Sequence, residues 1–171
     1  KAQASDILAS AKTESSREKN AAELGIRLTA DNKSVAEFAD ILFLAVKPQY
    51  YEEVIAEIKD TVSDDEIIVS IAPGKSLSWF DEMFGSLKVI RTMPNTPAMV
   101  GEGMMGVCAN ERVSQAELDT VLDLCSGFSK AEMIDEKLMD VVTAVSGSSP
   151  AYVFMFIEAM ADAAVAGGMP R

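Results

Sequence analysis

The feature that most constrains the fold is a regular alternation of short apolar runs with amphipathic segments. Two runs, 41–46 and 67–72, are apolar almost throughout, and each ends at a turn containing proline, Lys47-Pro48 and Pro73-Gly74. Such runs are typical of parallel strands that helices cover on both faces. The alternation therefore predicts a sheet in which each strand crosses over to the next through a helix.

The same pattern places the remaining elements. It predicts strands at 7–9, 26–28, 41–46, 67–72, 88–92, 104–109 and 131–134, and helices at 15–24, 50–58, 77–84 and 114–126. Gly25 is predicted to cap the first helix at its C-terminus, and Ser114 and Glu117 to form a capping box. This order indicates an α/β, doubly wound, Rossmann-like sheet with right-handed crossovers. Everything after Asp135 is predicted to be helical, which divides the chain into 1–134 and 135–171.

Composition excludes several classes of function. The net charge of −12, from 27 acidic and 15 basic residues, disfavours binding to nucleic acid or to anionic membranes. The absence of histidine excludes histidine-based triads and the common zinc sites, and no metal site is predicted. The two cysteines, Cys108 and Cys125, allow one disulfide, but reduced thiols are expected. With no signal peptide recognised and no apolar run approaching ~20 residues, a soluble, cytoplasmic protein is predicted.

Ligands of doubly wound sheets bind at the carboxyl ends of the strands. The end of the first predicted strand has no acidic residue before Glu14, but it offers hydroxyls and cations at Ser10, Lys12, Thr13 and Arg17. NAD-specific folds place an acid here, on the ribose 2′-hydroxyl. The segment therefore favours the 2′-phosphate of NADP, and an ordinary polar turn with solvated charges is the alternative.

Two further strand ends are proline turns. Proline stops the strand and fixes the backbone, so main-chain groups there can face a bound cofactor. The candidate residues are Ala45, Val46, Lys47 and Pro48 in one turn and Ile71, Ala72 and Pro73 in the other. Plain strand termination is the alternative at both.

A fourth strand end carries Met93, Pro94, Asn95, Thr96 and Pro97. Two prolines preset this loop, so its polar side chains project with little entropy to lose. A rigid turn with a local hydrogen bond from the asparagine side chain is the alternative. Asn32, further upstream, fits a helix N-cap.

A fifth candidate site lies among the later helices. Gly147 permits a tight turn, and Pro150 suits the first turn of a following helix, so a break between two helices is predicted. Backbone N–H groups and hydroxyls of Ser146, Gly147 and Ser148 would then be placed to receive a carboxylate. A capped helical hairpin is the alternative. The helix that follows is apolar nearly all round, which requires partners that bury it.

The segments 91–97, 143–154 and 167–171 together resemble the pyrroline-5-carboxylate reductase family, in the family's order. The resemblance implies hydride transfer from NADPH, with NADH possible, to the C=N carbon of 1-pyrroline-5-carboxylate, giving L-proline. It implies that Asn95 lies beside the nicotinamide, with Met93, Pro94 and Asn32 near the cofactor. It also implies a homodimer or higher homo-oligomer formed through the C-terminal helices.

Family members begin with a strand and a glycine-rich phosphate loop and end with further helices, and this sequence contains neither. The chain is therefore expected to be the middle of an enzyme. Two departures stand out: Pro73 where the family usually has alanine, and Ser149 where many members have glycine. The alternatives are another NADP-linked reductase of the β-hydroxyacid dehydrogenase type, and a non-catalytic assembly module with a Rossmann-like fold.

Overall fold

A computed structural model describes residues 2–171 and contains two sheets. In the first sheet, β1 (Leu8–Ser10) and β2 (Arg27–Thr29) are parallel. The second has the order β3-β4-β5-β6-β7, with strands Ile41–Leu44, Ile67–Ser70, Lys88–Met93, Gly103–Ala109 and Ser129–Met133. Its first three strands are parallel, β6 is antiparallel to β5, and β7 is parallel to β6.

Seven α-helices lie within the described residues. They are α1 (Glu14–Leu24), α2 (Asn32–Phe38), α3 (Tyr51–Ile58), α4 (Leu77–Phe84), α5 (Gln115–Cys125), α6 (Met139–Val142) and α7 (Ser149–Ala166). Short 3₁₀ turns cover Ala4–Asp6, Pro48–Tyr50, Thr96–Val100 and Glu136–Leu138. The predicted α/β fold, a Rossmann-like sheet followed by C-terminal helices, is confirmed.

A groove separates the two sheets. Its volume is about 990 Å³, and β1 lies on one side while β3 and its continuation to Val46 lie on the other. Helices α2 and α3 contribute Val35, Val54 and Ile58 to its lining. The doubly wound sheet is thus present in two parts, with parallel strands on either side of the groove.

The core of the larger sheet lies on both of its faces. On one face Ile68 packs with Tyr51 and Ile55 of α3 and Phe80 of α4. On the other, Ile67 and Val69 pack in a separate cluster that includes Leu118 and Val121 of α5. Because β4 alternates between the two clusters, all four of its residues are buried, as its continuous apolar run predicts.

The predicted helix caps are correct at Gly25 and Ser114 and wrong at Asn32. Gly25 adopts a left-handed conformation (φ 67°) at the end of α1, and Ser114 and Glu117 form the predicted capping box. Helix α2 was not predicted, and its N-cap is Asp31 rather than Asn32, since the Asp31 carboxylate accepts the Lys33 N–H. Both cysteines are reduced and buried. Burial raises the pKa of Cys108 to about 11, so its thiol stays neutral at neutral pH.

The carboxylate of Glu117 accepts a hydrogen bond from Lys88 Nζ at 2.7 Å, which joins α5 to β5. This bond, followed by those from Ser114, lowers the Glu117 pKa from 4.5 to about 2. A lowered folded-state pKa adds stability above pH 4.5 that is lost as the pH falls toward 2.

We therefore expect Glu117→Gln to have a lower free energy of unfolding than the parent at pH 7. The difference in free energy of unfolding should become smaller below pH 4.5. Urea denaturation between pH 7 and pH 3 measures this, with the exposed Glu111→Gln as the matched control. A difference that does not change with pH would contradict the assignment.

The C-terminal helices form one continuous helical stretch. An 18-residue window within residues 136–166 has a mean hydropathy of 1.2, and by length and composition alone this stretch is long and apolar enough to cross a membrane. Its apolar residues are not continuous, because the serines at 146, 148 and 149 and the acids Glu158 and Asp162 interrupt them. No residue of α7 is buried, so its apolar surface faces outward all round.

Candidate active site

The carboxyl ends of β3, β4 and β5 are tied together by buried hydroxyl groups. The Tyr51 hydroxyl donates to the Leu44 carbonyl oxygen and lies 3.2 Å from Ser70 Oγ. Ser70 Oγ accepts the Ala72 N–H at 3.2 Å, and Thr92 Oγ1 donates to the Ser70 carbonyl oxygen at 3.1 Å. Burial raises the pKa of Tyr51, so its proton stays in place as a donor. These bonds hold the three strand ends at which the candidate loops begin.

The two proline turns, which follow β3 and β4, contain exposed residues next to these strand ends. Ala45, Lys47 and Pro48 are exposed after β3, and Pro73 is exposed after β4. Ala72 is buried, and its N–H is the one bonded to Ser70 Oγ. Of the remaining candidates, Val46 and Ile71 are half-buried.

Asn95 joins its loop to the helical stretch. Its Oδ1 accepts the Met104 N–H at 2.9 Å, and its Nδ2 donates to Ser146 Oγ at 3.3 Å. The side chain forms no cap of the 3₁₀ turn that follows. Asn95 therefore does not serve a local turn, and it brings the fourth and fifth candidate sites into contact although 51 residues separate them.

The predicted break between two helices is wrong. Thr143–Gly147 forms a π-helical turn inside the continuous stretch, and the Ser148 N–H and hydroxyl both bond to the Thr143 carbonyl oxygen, at 3.1 and 3.2 Å. Pro150 lies in the first turn of α7, where its missing N–H is tolerated. Single π-turns inside α-helices are frequent at functional sites.

The three candidate residues of this π-turn point to different neighbours. Ser146 meets Asn95, whereas a Cβ placed on Gly147 would lie 3.3 Å from Met93 Cε. Gly147 does not have a positive φ, so no tight turn requires a glycine here, and it lies close to Met93 of β5. Ser148 is already bonded to the backbone, which leaves Ser146 as the hydroxyl closest to Asn95 among the three.

The residues predicted to surround a 2′-phosphate lie together after β1. The guanidinium of Arg17 donates to the Ala11 and Lys12 carbonyl oxygens at 2.8 and 3.1 Å, and Thr13 caps α1 through the Ser16 N–H. Arg17 and Thr13 thus shape the loop, and the exposed Lys12 extends from it.

Two contacts connect this loop to the rest of the site. Lys12 Nζ lies 5.7 Å from the ring centre of Tyr50, which belongs to the turn after β3. Ser10 Oγ donates to Asn32 Oδ1 at 2.7 Å, and Asn32 Nδ2 donates to Glu57 at 2.8 Å. Ser10 and Asn32 are therefore neighbours across 22 residues of sequence. Tyr50 was not predicted as a site residue, since nothing in its local pattern marks it.

Two family models match the chain. Residues 136–171 match the model for pyrroline-5-carboxylate reductase dimerisation, and residues 1–74 match that for coenzyme F420-dependent NADP oxidoreductases. The crystal structure of a Plasmodium falciparum pyrroline carboxylate reductase with NADP bound is 31% identical, with a TM-score of 0.82 over 95% of this chain and 70% of that one. The chain belongs to the pyrroline-5-carboxylate reductase family.

Other members of the pyrroline-5-carboxylate reductase family agree with this assignment. The Escherichia coli K12 protein is 48% identical over 150 residues, 87% of this chain and 56% of that protein. The Coxiella burnetii structure superposes with a TM-score of 0.90 at 29% identity, covering 98% of this chain and 63% of that one. The chain spans a little over half the length of the curated relatives it matches.

Proposed function

We propose that this chain belongs to an enzyme that reduces 1-pyrroline-5-carboxylate to L-proline with NADPH. The observation that carries the proposal is the contact between Asn95 and Ser146. It joins the loop at the end of β5 to the π-turn of the segment that matches the family's dimerisation model. Two motifs that resemble the family separately are therefore in contact at the carboxyl edge of the sheet, where ligands of such folds bind.

The residues present fit a phosphorylated dinucleotide. The loops after β1 and β3 meet through Lys12 and Tyr50, so one extended ligand could contact both. We assign the adenosine end to Ser10, Lys12, Thr13, Arg17 and Asn32. The central part is assigned to main-chain groups of Ala45, Val46, Lys47, Pro48, Ile71, Ala72 and Pro73, and the nicotinamide end to Met93, Pro94 and Asn95.

In this assignment bound NADPH would supply the hydride that reduces the C=N carbon. Protonation of the imine nitrogen already makes that carbon electrophilic, so the chain's own contribution is to position the two reactants. The Asn95 amide is neutral and held by Met104, so it orients a ring without adding charge. Ser146 and the neighbouring Gly147 and Ser148 are assigned to the substrate side, with no general acid assigned.

We also propose the domain organisation. Residues 1–134 form the cofactor-binding part and 135–171 begin the helical part, which associates with a second copy. The groove between β1 and β3 supports the proposal that a further parallel strand occupies it, because such a strand would join the two sheets into one. A cytoplasmic location is proposed with this function.

The proposal is tested with the complete protein by following NADPH absorbance after addition of 1-pyrroline-5-carboxylate. We expect saturable NADPH consumption and formation of L-proline. Reduction of NADP⁺ by β-hydroxy acids, with no turnover of the cyclic imine, would favour the other reductase class instead. Binding of NADPH with turnover of neither would favour an assembly module.

The cofactor assignment predicts a preference for NADPH over NADH that depends on Lys12. A hydrogen bond to a charged group contributes roughly 1.5–3 kcal/mol, and solvent exposure places Lys12 at the low end, so Lys12→Ala should lower kcat/KM for NADPH about 10-fold. The value for NADH should change little, since NADH has no 2′-phosphate. The exposed Lys19→Ala on α1 is the control, and equal efficiencies for both cofactors in the parent would contradict the pocket.

A further inference from the structure

An ion pair outside the proposed site connects the sheet to the helical stretch. Arg91, in the middle of β5, is 5% exposed, and its guanidinium pairs with the Glu136 carboxylate. The same Glu136 oxygen accepts the Leu77 N–H at 2.6 Å, at the start of α4. Glu136 is in the first turn of the helical stretch, so one carboxylate holds that turn against both a strand and a helix.

Two further contacts hold the helical stretch against the sheet. Val142 lies over Gly106 of β6, since a Cβ added there would be 3.1 Å from Val142 Cγ1. Ser146 then receives the hydrogen bond from Asn95, in the loop after β5. The attached positions of the helical stretch advance from 136 through 142 to 146, and on the sheet side they lie on β5, on β6 and in the loop after β5.

The distance from the first contact to the last is similar on the sheet side and along the helical stretch. Four residues of extended chain span about 13 Å, and ten residues of helix span about 15 Å. The helical stretch therefore lies on the sheet between Arg91 and Asn95, attached at both ends by polar contacts and in the middle by close packing on Gly106 of β6. A shift at the first attachment is carried to the last, because a helix is stiff along its axis.

We propose that Arg91 and Glu136 are positioning residues that set where Ser146 lies relative to Asn95. This inference rests on the proposed function for its kinetic consequence, but its structural part does not. The buried guanidinium requires a partner, since an unpaired buried charge is strongly unfavourable. The ion pair thus fixes the position of the first turn of the helical stretch on the sheet, and with it the geometry of the proposed substrate side.

The test uses Glu136→Gln in the complete protein, with Glu132→Gln at an exposed position of β7 as the matched control. Glutamine keeps an oxygen that can accept the Leu77 N–H but removes the charge that pairs with Arg91. We expect kcat/KM for 1-pyrroline-5-carboxylate to fall roughly 10- to 100-fold, because a misplacement of about 1 Å costs up to that much. The Kd for NADPH should stay within about twofold, since the adenosine end is remote from Glu136.

A double-mutant cycle with Ser146→Ala separates positioning from general weakening. If Glu136 acts through Ser146, kcat/KM of the double variant should lie within about twofold of that of the less active single variant. Three outcomes would each overturn the proposal. The losses of kcat/KM in the two single variants could multiply in the double variant, or the affinity for NADPH could fall in parallel with kcat/KM. The third is a kcat/KM of Glu136→Gln equal to that of Glu132→Gln. If Glu136→Gln does not fold, Glu136→Asp, which withdraws the carboxylate by one methylene, is measured in the same cycle.

Hydrogen exchange gives a readout independent of activity. Amides of the π-turn, Thr143–Gly147, should exchange faster in Glu136→Gln than in the parent, and Glu132→Gln should leave them unchanged. Unchanged exchange in Glu136→Gln would refute the positioning role even in an active enzyme. Faster exchange in Glu136→Gln, together with a parent protein that does not turn over the imine, would leave the positioning role standing and refute the proposed function instead.

Discussion

Replacement of Asn95 by alanine is expected to lower turnover of 1-pyrroline-5-carboxylate by roughly 10- to 100-fold. A neutral hydrogen bond contributes only ~0.5–1.5 kcal/mol, or a factor of about 2–13 in rate. Asn95 makes two bonds, to Met104 and to Ser146, and loss of both frees the loop from the helical stretch. The additional loss comes from misplacing the reactants. Steady-state kinetics beside a thermal melting curve measure both effects.

Asn110→Ala is the matched control for this change. Asn110 also makes two bonds, accepting the Val89 N–H at 3.2 Å and donating to the Leu87 carbonyl oxygen at 2.8 Å, but it lies at the opposite end of β5. We expect Asn110→Ala to lower the melting temperature with kcat nearly unchanged. Asn95→Ala should lower kcat with the melting temperature nearly unchanged. Equal losses of kcat in the two variants would reduce Asn95 to a structural residue.

Replacement of Phe156 by glutamate in α7 is expected to dissociate the proposed oligomer. Phe154, Met155 and Phe156 are each about two-thirds exposed, at 65%, 67% and 65%, in the segment that matches the dimerisation model. Aromatic anchors of interfaces contribute 2 kcal/mol or more, so the dissociation constant should rise by at least roughly 30-fold. Analytical ultracentrifugation over a dilution series measures this.

Lys19→Glu, at an exposed position of α1, introduces a glutamate away from the helical stretch, with a net-charge change larger by one, and is the control. We expect it to keep the oligomeric state of the parent. An unchanged association of Phe156→Glu, or a parent that is monomeric at every concentration, would contradict the proposed role of α7. Because α7 has no buried residue, the variant's effect on the fold of the sheet domain should be small.

The central strands and their turns were predictable because both faces of each strand are buried. The continuous apolar composition of 67–72 follows from that burial, and β4 packs into both core clusters. Helix α2 was missed because it is only seven residues long and contains a single buried residue, Ala36. Asp31 and Asn32 are equally suitable caps by type, and only tertiary contacts distinguish them: Asn32 bonds to Ser10 and Glu57.

The helical stretch shows where local signals fail. Gly147 and Pro150 are ordinary markers of a helix break, but proline is tolerated in a first turn, and a π-turn absorbs the irregularity without ending the helix. Gly147 instead lies against Met93, and that contact crosses more than 50 residues. No sequence period carries such information.

The candidate site was predictable as a set of loops but not as an arrangement. Four of the five motifs lie where a strand ends, because ligand-binding loops of this fold follow the strands, and the fifth lies in the helical stretch. The contact of Asn95 with Ser146 and the Tyr51 hydroxyl network are tertiary, and no local pattern predicts them. The same holds for Lys12 beside Tyr50.

Transfer of isotope from cofactor to product tests the proposed reaction most directly. The complete protein is incubated with 1-pyrroline-5-carboxylate and NADPH that carries deuterium at its transferable nicotinamide position, and the product is examined by mass spectrometry and NMR. We expect L-proline with one deuterium, on the ring carbon that was the C=N carbon, and a strong loss of labelled product in Asn95→Ala. Absence of labelled proline from the parent protein would contradict the proposed function.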